Sequence, residues 1–123
     1  MKPIIEKLRD QRKSIIKEGS YTLTISRPTD LDALAMNFKS NKEAIESLSN
    51  YVVDWDLTEL DIISSGTNEP VPFDSDLFSE WIKDQPKLWA PLIFKIKQSY
   101  ESHIEKVNTD KKKLQPGSNQ PKT

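Results

Sequence analysis

The sequence predicts a mainly α fold, a small helical domain with a short β-strand pair and a disordered C-terminal tail. Three observations carry that expectation. Apolar residues recur at three-and-four spacing in several stretches, which is the period of a helix with one buried face. One six-residue run, Tyr21-Thr22-Leu23-Thr24-Ile25-Ser26, alternates strictly and reads as a strand. After Asn108 apolar residues almost vanish. Residues 1–107 are thus expected to form a single helix-rich domain, and residues 108–123 a flexible polar tail of linker-like composition.

Taken in order, residues 3–18 read as a first helix. Pro3 suits its first turn, Ile4, Ile5, Leu8, Ile15 and Ile16 supply its apolar face, and Gly19 stops it. The strand Tyr21–Ser26 follows and needs a partner for its backbone groups. Tyr51–Val53, Leu60–Ile63 or another subunit could provide one. Pro28 ends the strand, and Thr29 with Asp32 forms a capping-box pattern before a helix carrying Leu31, Leu34, Ala35 and Phe38. Ser40 with Glu43 repeats the pattern ahead of Ala44, Ile45, Leu48 and Tyr51. From Asp54 to Asn68 periodicity fails, and Gly66 with Asn68 marks a loop or hairpin turn. Asp74 is placed to cap a helix bearing Leu77, Phe78, Trp81 and Ile82, with Phe73 stapled against Phe78. Beyond Pro86 the longest helix carries Trp89, Leu92, Ile93, Ile96, Tyr100, Ile104 and Val107, and Pro91 either begins its regular part or kinks it.

Composition narrows function toward surfaces. Among 123 residues there is no cysteine, one histidine (His103) and three glycines, which leaves little material for catalysis. No apolar run is long enough to span a membrane, and Met1–Glu6 meets a charge too early for a signal-peptide core, so the cytoplasm is the expected location. Charge is segregated. Residues 1–42 carry nine Lys/Arg against five Asp/Glu, residues 43–84 one against eleven, and residues 85–123 eight against three. The signs can neutralise within one folded chain, or the opposite patches of two copies can attract.

Each candidate for chemistry has a simpler reading beside it. Asp54, Asp56, Glu59 and Asp61 are dense enough to suggest a calcium loop, but Thr58 and Glu59 stand where an EF-hand needs a ligand and then glycine. Asp74 and Asp76 could be an acid–base pair, yet a helix N-terminus accounts for both. His103 has no second histidine or thiol to join it in a metal site or dyad. No glycine-rich loop offers a phosphate cradle. Lys111-Lys112-Lys113 falls short of a basic groove for nucleic acid. No catalytic residue, metal or cofactor is assigned, and an enzyme is the least favoured class. Three tryptophans, Trp55, Trp81 and Trp89, are more than so small a core hides completely, so at least one is expected at an interface.

The order of landmarks resembles the tail assembly chaperone family of long-tailed, non-contractile bacteriophages and their prophages. The likeness covers residues 20–107 and is carried by Arg27-Pro28-Thr29-Asp30, by Asp54-Trp55-Asp56, by Pro70-Val71-Pro72-Phe73 and by the helices from Trp81 to Tyr100. The family pattern has a glycine just before its Glu-Pro-Val-Pro-Phe element, whereas Gly66 here lies three residues before Glu69. The resemblance implies a non-enzymatic protein that self-associates, coats the tape measure protein and keeps it soluble before the tail tube polymerises, without being retained in the virion. It also implies a longer frameshifted product that recruits tail tube protein, for which Lys111–Lys113 is the candidate shift site. Trp81, Trp89, Phe94 and Tyr100 are the candidate partner-binding residues, in so far as they are exposed. Membrane and nucleic acid are not expected partners. A small bacterial adaptor or antitoxin-like binding module is the alternative, and a nucleic-acid-binding regulator the third.

Overall fold

A computed structural model of the chain describes residues 2–35 and 40–113. In order, the elements are α1 (Ile4–Asp10), β1 (Lys13–Glu18), β2 (Tyr21–Ser26), α2 (Asp30–Ala35), α3 (Asn41–Glu46), a 3-10 turn (Ser47–Asn50), β3 (Val52–Trp55), α4 (Glu59–Ile62), α5 (Ser75–Ile82) and α6 (Pro86–Lys113). The protein is mainly α, with one antiparallel sheet of order β1-β2-β3.

The sheet has three strands rather than the expected pair. Residues 3–18 are not one helix: α1 ends at Asp10, and Lys13–Glu18 pairs with β2 from Lys13 opposite Ser26 to Glu18 opposite Tyr21. Gly19 decides this. Its φ of 61° and the absence of positive φ at Ser20 are the dihedral pattern of a type II′ turn, whose twist matches that of the strands it joins. A two-residue turn brings β1 straight back along β2, so Ile15 and Ile16 serve a strand and not a helix.

On the other side β2 pairs with β3, which overlaps the first expected partner segment, Tyr51–Val53, at Val52 and Val53 and runs on through Asp54 and Trp55; Leu60–Ile63 instead contributes to α4 and its end. The register shifts between Thr24, opposite Asp54, and Ile25, opposite Val52. Val53 is therefore the extra residue of a β-bulge. Regular alternation would send Val52 and Trp55 to opposite faces, and the bulge lets both be buried.

The core lies between one face of this sheet and the helices. Leu23, Ile25, Val52 and Trp55 meet Phe78, Trp81 and Ile82 of α5 and Leu88, Leu92 and Ile96 of α6, with Leu48 and Leu57 filling the remaining space. Each fully buried large side chain here contributes roughly 1.5–3 kcal/mol. The helix starts follow the sequence. Thr29 and Asp32 exchange their hydrogen bonds at 3.0 Å, Ser40 accepts from Glu43 N, and Asp74 accepts from Leu77 N. Phe73 and Phe78 pack against each other, tilted, with 6.3 Å between ring centres. A further capping box, Thr58 with Asp61, opens α4 inside the stretch expected to be irregular.

Helix α6 runs unbroken through Pro91 and on to Lys113. Residues 108–113 are consequently helical and not linker; residues 114–123 lie outside those described, as does Phe38.

Candidate protein-binding surface

The three landmark segments take different places. Asp54-Trp55-Asp56 and Pro70-Val71-Pro72-Phe73 come together. Trp55 Nε1 donates to Val71 O at 2.7 Å, Val71 N donates to Leu57 O, and the Trp55 and Phe73 rings meet edge to face at 5.2 Å. Asp56 clasps the start of β2, accepting from Thr22 N through Oδ1 and donating its own N–H to Thr22 O. Pro70 bridges to Thr58. These residues close an aromatic core in which Trp55, Phe73, Phe78, Trp81 and Tyr21 are in ring contact.

Arg27-Pro28-Thr29-Asp30 sits at the opposite end of β2 and joins the sheet to two helices. Pro28 is fully buried, and Arg27 N donates to Arg12 O, extending the β1–β2 pairing. The Arg27 guanidinium donates to Pro28 O. Asp30, at the start of α2, accepts from the Tyr100 hydroxyl at 3.0 Å and lies 3.4 Å from His103 Nε2, both on α6. Partial burial, then this carboxylate, raises the Tyr100 pKa above its ordinary value.

Of the four aromatic residues predicted to contact a partner, the fold leaves one outside. Trp81 is 6% exposed and belongs to the core. Trp89 is half-buried and its Nε1 donates to Ile82 O at 2.7 Å, which fixes the corner between α5 and α6. Tyr100 is half-buried against Asp30. Phe94 is 62% exposed.

Other apolar groups face outward where periodicity suggested a core. None of the residues of α1 is buried, and Ile4, Ile5 and Leu8 share one side of it. On α2, Leu31 and Leu34 are exposed, Leu34 at 85%. Both helices gather at one end of the molecule: α1 leads directly into β1, and α2 is held by Tyr100 and His103. Ile104 and Val107 of α6 are exposed in the same region.

Between the start of β1 and the distal part of α6 lies an open groove of about 560 Å³ that the sequence reading missed. Arg12, Lys13, Arg27, His103 and Lys106 line it, and Asp110 is the one carboxylate among its lining residues. Lys13 pairs with Asp10, whose carboxyl is held below the usual aspartate pKa by Lys2 and Lys13. Arg12, Arg27 and Lys106 make no ion pair with any described carboxylate. The signal for this groove was the Gly19-Ser20 turn between two β-branched runs, because only a hairpin returns Arg12 and Lys13 to the side of Arg27.

Among the described residues no cluster of three or more His, Asp or Glu is disposed to hold a metal ion, and no helix is long and apolar enough to cross a membrane. Compared with known proteins, the chain matches no family model, no curated sequence and no solved structure.

Proposed function

We propose that this chain is a non-catalytic chaperone of the phage tail assembly type, which binds the helical tape measure protein and keeps it soluble before the tail tube forms. The observation that carries the reading is the unpacked apolar face of α1, joined at the same end by Leu31, Leu34, Ile104 and Val107. A folded domain that has already built a core elsewhere keeps such a face in water at a free-energy cost, which a client's own apolar helix offsets. Phe94 adds a second anchor on α6. The landmark segments that carry the family resemblance hold the scaffold together, so the client would meet the helix faces and not those motifs.

The test is genetic and then biochemical. A long helical reading frame should lie downstream of the gene among tail genes, with a slippery run near codons 111–113. Co-expression should shift the product of that frame from the pellet to the supernatant, and Phe94→Ala should reduce the rescue. A neighbourhood without a long helical frame or tail genes would overturn the reading in favour of a stoichiometric adaptor.

A further inference from the structure

Strand β1 is an edge of the sheet, and the direction of its main-chain groups follows from its register. Arg27 N donates to Arg12 O, so that pair is a hydrogen-bonded one, and antiparallel pairs alternate along a ladder. With Lys13 opposite Ser26 and Glu18 opposite Tyr21, residues Ser14, Ile16 and Glu18 bond to β2. Lys13, Ile15 and Lys17 therefore turn their N–H and C=O groups outward. Among the described residues one side chain reaches that side: Lys95 of α6 donates to Lys17 O at 2.8 Å and pairs with Glu18. The edge is closed at its hairpin end and open from Lys13 to Ile15, and an open edge is a template for a further strand.

Helix α6 flanks this edge without filling the space beside it. A trough of about 510 Å³ separates Ile15, Ile16 and Lys17 from Lys95 and Gln98. Ser14, Ser99 and Ser102 line both this trough and the cationic groove, so the two run together along β1. An added strand would lie about 4.8 Å from β1, with alternate side chains on either face of the sheet. Ile15, 72% exposed, offers an apolar contact on one of those faces.

The far end of the trough sets the chemistry of the occupant. Arg12, Arg27 and Lys106 converge there without a carboxylate partner among the described residues. A phosphate chain would answer those charges but has no N–H or C=O to offer the edge that leads into them. An extended polypeptide carrying carboxylates answers both. A strand antiparallel to β1 runs from the side of Lys17 toward that of Lys13, so its C-terminal end arrives at the cations.

We propose that the trough between β1 and α6 is a docking site for an extended acidic peptide of a partner protein, which adds to β1 as a fourth, antiparallel strand. Main-chain bonds to Lys13 and Ile15 hold it, and acidic side chains at its C-terminal end meet Arg12, Arg27 and Lys106. The site is separate from the helix faces assigned to the client, so its failure would leave the chaperone reading as it stands.

The probe is a fluorescein-labelled, C-amidated peptide of about eight residues, roughly 26 Å when extended, alternating threonine and valine and ending in a run of glutamates. Fluorescence anisotropy with the full chain at low salt should show saturable binding. Placing the glutamates first should weaken it about tenfold or more, and so should Arg12→Ala with Lys106→Ala. Ile15→Pro should weaken it as much, because it removes an outward N–H while leaving the β1–β2 bonds in place, the one strand setting that proline tolerates. Bound peptide should slow amide exchange at Lys13 and Ile15 in the wild-type chain about tenfold or more, a readout that decides the matter even if Ile15→Pro fails to fold. No binding, or binding without protection of those amides, would overturn the proposal. Tripolyphosphate or single-stranded DNA bound more tightly than the peptide would overturn it by making the groove a phosphate site. Protection of the same amides that rises with the concentration of the chain alone would overturn it by making a second copy the occupant.

Discussion

Trp81 and Phe94 are large aromatics on successive helices, yet one is 6% and the other 62% exposed, and their substitutions should separate accordingly. Trp81→Ala removes a ring in edge-to-face contact with both Tyr21 and Trp55 and is expected to lower stability by about 3–5 kcal/mol. Trp81→Phe should lose less, since the buried Trp81 Nε1 has no hydrogen-bond acceptor and that orphaned donor goes with it. Phe94→Ala should leave stability within about 0.5 kcal/mol of wild type. Urea unfolding followed by circular dichroism measures all three. An unfolded Phe94→Ala chain would place Phe94 in the core and remove it as a binding residue. Sequence spacing finds both aromatics but cannot rank them. Trp81 is buried because Tyr21 and Trp55 arrive from other segments, and helical periodicity holds no trace of those visitors.

At the scale of elements, the two described turns with glycine rest on different physics. Gly19 needs its positive φ and has open space where a Cβ would stand, so Gly19→Ala is expected to cost about 1–2 kcal/mol through the backbone alone. At Gly66 the φ is ordinary, but a Cβ would come within 2.7 Å of the Glu59 backbone. Gly66→Ala must displace the loop, and with it the bond from Thr67 N to the Glu59 carboxylate. Thermal melts should show both losses, while amide chemical-shift changes around Glu59 and Thr67 should accompany only Gly66→Ala. The helix caps at Thr29, Ser40 and Asp74 were legible because each is a local pattern of four residues. Strand β1 was not. Ile15 points to solvent and Ile16 toward the core, and two adjacent isoleucines fit a helical face as readily as a strand. Helix α4 was missed because four residues are too few to show a period.

For the whole molecule, the segmental charges were legible and their placement was not. Which end each sign occupies depends on β3 pairing with β2 rather than with β1, a long-range choice that no local pattern encodes. Helix α1 offers a test at this scale. Because it buries no residue, deleting residues 1–9 should leave the urea midpoint nearly unchanged while the co-expressed client returns to the pellet. A large loss of stability would instead make α1 part of the fold.

The central strand also sets an order of assembly in time. Its partner β1 is two residues away across a tight turn, whereas β3 begins only at Val52, after α2, α3 and the 3-10 turn. Loop closure favours the near contact, so the β1–β2 hairpin forms first and β3 docks late. During synthesis, at roughly 5–20 residues per second, the Leu23 and Ile25 face of β2 and its open edge wait on the ribosome for seconds before their covers emerge. On the proposed reading, a protein that would shield an aggregation-prone client thus passes through a comparable hazard of its own at birth.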